Sequence, residues 1–290
     1  MSYSFLITGA SSGFGIRIAL KALQAGHAVM ATARNSADAA KKYPELEALG
    51  GVWLELDVTA ADAIETVNKV VGERGVNVLI NNAGYGLLGA LEDMSVSEFQ
   101  KQIDTNVTGP FKCIKGALPH FRTLTSQGGS TIVNISSVAG LRGGPSATAY
   151  AASKFGLEGL SESLAGEVKA FRIRVVLIEP GTFRTNFLTS FPKPAAGLGE
   201  AYKDGPVGMA LQAFTELDNK QPGDPEQAAE RILEIIEGRG MGQAFKEKGL
   251  GEVLRVPLGK DCFAAASKKV QDLSEALAAT EKISASTDFA

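Results

Sequence analysis

The sequence predicts an α/β fold, a doubly wound parallel sheet of about seven strands with helices on both faces. Three observations predict it. Short apolar runs alternate with longer helical stretches at spacings that demand parallel crossovers. The first apolar run ends in a glycine-rich turn, Thr8 to Gly15, that opens a helix. Later runs end in small or polar residues, Asn81-Asn82-Ala83-Gly84, Ser136-Ser137 and Pro180-Gly181, which make room at the carboxyl edge of a parallel sheet.

The elements follow in order. Tyr3 to Thr8 reads as a short buried strand, and Ile16 to Ala25 as a helix stopped by Gly26. Ala28 to Ala33 is the second strand and Val52 to Leu56 the third, ending at Asp57-Val58. A helix is expected from Ala60 to Glu73, a fourth strand from Val76 to Ile80, and one long helix from Ser95 to Leu124. The fifth strand starts at Ser130, and the helix carrying Tyr150 and Lys154 runs to Ala170. Ile173 to Glu179 is the sixth strand, broken by Pro180-Gly181. A helix from Pro225 to Glu237, a proline-bearing edge strand from Glu252 to Leu258 and a last helix from Asp261 to Thr280 complete the pattern, with a frayed tail over 281–290. All of it reads as one domain, 1–290. Residues 184–224, rich in proline, glycine and phenylalanine, form a long irregular segment of the kind that is functional or mobile in a compact domain.

Composition excludes several classes. The 290 residues hold 29 basic and 32 acidic side chains with no basic run, which argues against a nucleic-acid partner. No apolar stretch reaches the ~18–20 residues of a membrane span, and the N-terminus has no basic leader, so the expected location is cytoplasmic. Cys113 and Cys262 are far apart, and neither they nor His27 and His120 form a metal-ligand spacing; no metal is expected.

The chemistry concentrates between Ser136 and Lys154. Tyr150 and Lys154, four apart, share one helix face about one turn apart. A free phenol titrates near about 10, and a neighbouring lysine cation favours the phenolate, bringing proton exchange nearer neutral pH. Ser137, at a strand end, offers a hydroxyl to a substrate oxygen. Taken alone, the pair also fits a packed ring beside a solvated amine. Arg34 follows the second strand where a carboxylate would hold a ribose diol, and so favours a 2′-phosphate and NADP(H) over NAD(H). An ordinary surface arginine is the alternative, and Arg17 is a second candidate.

Together and in order, Thr8-Gly9-x-x-x-Gly13-x-Gly15, Asp57, Asn81 to Gly84, Asn106, Ser137, Tyr150-x-x-x-Lys154 and Pro180-Gly181 resemble the short-chain dehydrogenase/reductase family, whose fold is Rossmann-like. The likeness covers about residues 1–190. It implies Tyr150 as general acid/base, Lys154 as its electrostatic partner and holder of the nicotinamide ribose, Ser137 on the substrate oxygen, and Asn106 in a proton relay. It implies a dinucleotide lying against Gly9, Ser11, Ser12, Gly13, Phe14 and Gly15, then Asp57 and Val58, then Asn82, Ala83 and Gly84. Tyr150 and Lys154 flank the same ligand, Pro180, Gly181, Thr182 and Thr185 close over it, and residues 184–224 form a lid segment that caps the substrate. The C-terminal pattern is similar to that of 17β-hydroxysteroid dehydrogenase-like carbonyl reductases. The expectation is an NADP(H)-dependent oxidoreductase acting on a small-molecule ketone, aldehyde or alcohol, as a homodimer or homotetramer. Alternatives are a non-catalytic NADP(H)-binding sensor or scaffold of the same fold, and an epimerase or dehydratase.

Overall fold

The computed structural model describes residues 2–189, 191–247 and 253–289. Seven strands form one sheet: β1 (Ser4–Ile7), β2 (Ala28–Ala33), β3 (Val52–Glu55), β4 (Val78–Asn81), β5 (Ser130–Ile135), β6 (Ile173–Pro180) and β7 (Arg255–Leu258). Their order is β3-β2-β1-β4-β5-β6-β7, all parallel. The order reverses between β1 and β4, which opens a crevice at their carboxyl ends.

Strand periodicity divides the core. Phe5, Ile7, Val29, Ala31, Val78 and Ile80 face one side, under α1 (Gly13–Gln24) and a helix near the C-terminus, Pro225–Glu237. Leu6, Met30 and Leu79 face the other side. The helices there are Ala63–Arg74, Gly109–Thr123 and Thr148–Val168, numbered α4, α6 and α7 below. Burial on both faces explains why the strands read as continuous apolar runs.

The structure departs from expectation in four places. Between β2 and β3 lie two short helices, α2 (Ser36–Lys42) and α3 (Pro44–Ala48), where none was expected; Asn35 caps the first by accepting from the Asp38 N–H at 3.0 Å, and Pro44 opens the second. The helix expected over Ser95 to Leu124 is instead α5 (Val96–Ile103), a π-helical turn Asp104–Thr108, then α6. Pro110 has no N–H to return to the Asn106 carbonyl, so the α-helical ladder is interrupted there. The capping segment holds α8 (Glu200–Lys203) and α9 (Pro206–Leu217), ahead of α10 (Pro225–Glu237) and α11 (Gln243–Glu247). The last helix, α12 (Lys260–Ala285), extends past Thr280 into the segment expected to fray. The edge strand begins at Arg255; Glu252, where it was expected to start, lies outside the described residues. Among the described residues no helix is long and apolar enough to cross a membrane.

Candidate active site

The turn from β1 to α1 is built by contact with the β4 loop. Gly9 has φ +61°, and a β-carbon on it would stand 2.7 Å from Ala83 Cα. A β-carbon on Gly15 would stand 2.6 Å from Asn82 Nδ2 and 2.8 Å from the Gly9 carbonyl oxygen. Thr8 Oγ1 accepts from the N–H groups of Asn82 and Ala83, and Asn82 Nδ2 donates to the carbonyls of Thr8 and Gly9, each at 3.0 Å. Asn82, expected against the dinucleotide, clamps the glycine turn with its amide hydrogens. The N-terminus of α1 is open: a β-carbon at Gly13 meets nothing within 4 Å, and the Ser12 side chain does not cap the helix. Ser11 is partly exposed beside it, while the Phe14 ring packs edge-on against Phe183 at 5.3 Å. Such a helix end, with free N–H groups, is shaped for a pyrophosphate.

Arg34 and Asp57 stand at the carboxyl ends of β2 and β3, on the far side of β1 from the reactive hydroxyls. Burial pushes the Asp57 carboxyl up, but hydrogen bonds from the Thr59 hydroxyl and N–H, with the charges of Arg34 and Lys112, leave it below the usual carboxylate range. Arg34 is exposed. Val58 is buried, and a β-carbon on Gly109 would stand 2.7 Å from it, so its side chain packs the core rather than the crevice.

Ser137, Tyr150, Lys154 and Asn106 lie across the β4–β5–β6 edge. Asn81 donates to Asn134 at 2.7 Å and Asn134 to Ser161 of α7 at 2.8 Å, which fixes the helix on the sheet. Ser137 follows β5; its hydroxyl accepts from the Ala139 N–H at 3.1 Å. Asn106, buried in the π-helical turn, accepts from the Tyr85 N–H and donates to the Tyr85 carbonyl and to Ser153 Oγ. Ser153 in turn donates to the Tyr150 carbonyl at 2.7 Å. Asn106 thus ties the loop after β4 to the first turn of α7. A β-carbon on Gly84 would fall 3.1 Å from Asn106 Oδ1 and 3.7 Å from Lys154 Nζ, so these three crowd one point. Lys154 Nζ donates to the Ile135 carbonyl at 2.8 Å and lies 5.8 Å from the centre of the Tyr150 ring.

Electrostatics at this point differ from the proximity argument. Burial pushes the Tyr150 phenol up to about 12, with the Ser137 hydroxyl pulling the other way. Burial pushes the Lys154 amine down to about 8, opposed by the Glu158 carboxylate. In both groups desolvation of the charged form is the largest effect.

Residues 184–224 pass over this edge. The Phe187 ring stacks obliquely on Tyr150 at 5.4 Å between centres. The Leu88 N–H donates to Pro192, Ala195 to Glu98, Gly199 to Asp93, and the Tyr202 hydroxyl to Glu92. At the root of the segment, after Pro180 at the end of β6, the Gly181 N–H donates to Leu258 and the Thr182 N–H to Asp261 Oδ2 at 2.7 Å. Thr185 Oγ1 accepts from the Phe187 N–H at 3.4 Å.

Of the expected residues, the structure gathers Asn106, Ser137, Tyr150, Lys154 and Gly84 at one edge, and the glycine turn with Asn82 and Ala83 beside them. Sequence reasoning missed Gln102, which braces the loop after β4 through Leu87 and Tyr85, and the Glu158–Arg255 cluster beneath α7. Glu158 was within reach of a spacing argument, being four residues beyond Lys154.

The parallel sheet with its crevice at the carboxyl edge is an arrangement that the comparisons with known proteins share. The family model described as short chain dehydrogenase matches residues 4–195, and the chain belongs to that family. It is 50% identical over 219 residues to "Oxidoreductase claN" of Passalora fulva, covering 73% of this chain and 99% of that protein. It is 42% identical over 235 residues to "3-ketodihydrosphingosine reductase" of Bacteroides thetaiotaomicron, covering 80% of this chain and 82% of that one. A crystal structure of a short-chain dehydrogenase from Streptomyces avermitilis superposes with a TM-score of 0.82 at 33% identity, over 100% of both chains.

Proposed function

We propose that this chain is an NADP(H)-dependent oxidoreductase that interconverts a ketone or aldehyde and the corresponding alcohol, with Tyr150 as general acid/base. The observation that carries the reading is the convergence of Ser137, Tyr150, Lys154 and Asn106 at one strand edge beneath Phe187.

The cradle fits a dinucleotide. The open α1 N-terminus with Gly9, Ser11, Ser12, Gly13 and Gly15 would hold the pyrophosphate, Arg34 the 2′-phosphate, Asp57 the adenine, and Lys154 the nicotinamide ribose. Pro180, Gly181, Thr182 and Thr185 would hold its nicotinamide end. When bound, the cofactor supplies or accepts the hydride. The protein manages the proton. In reduction, the substrate oxygen accepts hydrogen bonds from Ser137 and Tyr150, then takes the Tyr150 proton as the carbonyl carbon gains its hydride. Lys154 as a cation stabilises the phenolate left behind, and Asn106 holds the helix that carries both.

Residues 184–224 act as the substrate lid. Phe187 against Tyr150, and Phe191 against Phe214, make its underside apolar, and the reductase relative's sphingoid substrate supports an apolar carbonyl compound here. A homodimer or homotetramer is supported by Phe111 and Phe155, half-exposed on α6 and α7. The finer kinship to 17β-hydroxysteroid dehydrogenase-like carbonyl reductases and a cytoplasmic location complete the reading.

The test follows NADPH absorbance with a panel of apolar ketones, aldehydes and quinones. Tyr150→Phe is expected to lose at least about 100-fold in kcat and to bind NADPH with unchanged affinity. Turnover at the parent's rate in that variant would remove Tyr150 from the mechanism.

A further inference from the structure

Beneath the catalytic helix lies a charged cluster that the reaction does not touch. Glu158, one turn beyond Lys154 on α7, is buried, as is Glu179 at the end of β6. Arg255 of β7 reaches both carboxylates, the second at 2.7 Å, and also Glu162 at 2.5 Å. The other oxygen of Glu158 accepts from the Ser136 hydroxyl at 2.6 Å, in the residue before Ser137. A β-carbon on Gly140 would stand 2.0 Å from that oxygen, so the carboxylate fills a space kept open for it. One Glu158 oxygen is thus fixed to the serine strand end and the other to β7.

We propose that Glu158, held between Ser136 and Arg255, is a positioning residue that keeps Lys154 cationic, and that β7 serves catalysis through this link without touching the reacting atoms. The inference rests on the oxidoreductase reading given above.

Lys154 needs such support. Its amine makes one hydrogen bond, to the Ile135 carbonyl, among the described residues, and its surroundings on the β4 and π-helical side, Gly84 and Asn106, are neutral. Glu158 is the charged group that acts on Lys154, beside the Tyr150 ring, and around Glu158 itself stand Arg255 from β7, Glu162 from α7, Glu179 from β6 and Cys262 from α12, with Asp261 next to Cys262. Three carboxylates share one guanidinium. Burial pushes the Glu179 carboxyl up to about 7, with Arg255 opposing, and one of its oxygens has no partner among the described residues. The cluster therefore stays net negative at neutral pH, which is the sign that favours a lysine cation. Glu158 is its member on the helix face of Lys154.

The direct test is a side-chain NMR titration of lysine-labelled protein, with Lys154 assigned from the spectrum of Lys154→Arg. In Glu158→Gln, which keeps the shape and removes the charge, the Lys154 midpoint is expected to fall by about one pH unit. Glu162→Gln, at the more exposed arm of the same arginine, is expected to move it by less than half as much. In NADPH-linked reduction, the alkaline limb of kcat/KM moves to lower pH by the same amount as the NMR midpoint. An unmoved Lys154 midpoint in folded Glu158→Gln overturns the proposal. If Glu158→Gln does not fold, Glu158→Asp decides: it keeps the charge, so the midpoint stays within about half a unit, and a full-unit fall overturns it. The NMR readout needs no substrate. Absence of turnover in the parent protein would count against the oxidoreductase reading while leaving this inference decided by the titration.

Discussion

At Lys154, stability and activity pull in opposite directions. Its folded-state pKa, about 8, lies below the ordinary 10.5. The folded protein thus disfavours the charge, a cost fully present below about pH 8 and relieved as pH rises towards 10.5. Lys154→Met removes a buried cation and keeps an apolar stem, at the loss of the bond to Ile135. It is expected to be more stable at pH 7 by roughly 1–2 kcal/mol, with the gain shrinking towards pH 10, and to lose turnover. Urea unfolding at the two pH values checks the sign; a variant weaker than the parent at pH 7 would show that Lys154 is stabilised by its surroundings. In the parent, the rate of reduction should hold below about pH 8 and fall above it, as Lys154 gives up its proton. Arg34 carries the other residue-scale prediction. Arg34→Asp exchanges a donor fork for a repelling carboxylate beside Asp57, and should weaken NADPH relative to NADH by at least about tenfold in Kd. An unchanged ratio would assign the 2′-phosphate elsewhere, with Arg17 next to try.

At the scale of elements, what the sequence made legible is what is local. The glycine turn, the small residues after β4 and β5, and the Tyr150–Lys154 face are each set by a few adjacent residues; the first two stand at strand ends and the third in the first turns of α7, as expected. The π-helical turn was hidden because a helical pattern does not register one extra residue per turn. Its cause lies in Pro110, and its purpose, turning Asn106 towards Tyr85, is a contact across 21 positions. The arms of Arg255 were hidden for the same reason, reaching Glu158 across 97 positions. The segment proposed as a lid is held by such long-range ties. Glu98 caps α5 by accepting from the Ser95 N–H and hydroxyl, and with its other oxygen holds the Ala195 N–H at 2.7 Å. Glu98→Gln keeps one acceptor oxygen where the carboxylate used two. It is expected to raise KM for the carbonyl substrate by about fivefold and to leave NADPH affinity unchanged. A lowered melting temperature with an unchanged KM would make Glu98 a helix cap only and release the lid from its control.

The whole molecule is organised around the sheet, and its last helix is the exception. Two apolar layers close on the sheet, and α1 is tied to α10 by Arg17–Glu226 and Lys21–Glu230, while His27 meets Glu237. β7 belongs to this body through its pairing with β6 and through Arg255. α12 starts there too, with Cys262 buried and Asp261 holding the Thr182 N–H, and Lys269 over the Phe155 ring. From Gln271 to Phe289 every residue is exposed, Leu273, Leu277 and Ile283 included. A stretch that buries nothing adds little to folding, because helix propensity alone is marginal at this length. Ending the chain after Val270 is therefore expected to move the melting temperature by less than about 2 °C and to leave NADPH affinity and kcat unchanged. Ending it after residue 253 removes β7 and Arg255, leaves Glu158 and Glu179 buried without their cation, and should lose the cooperative transition. Calorimetry of both truncations separates the two outcomes. A large fall in melting temperature for the longer truncation would mean that the apolar side chains of α12 are covered in solution, and the dependence of that fall on protein concentration would identify the cover as a second copy of the chain.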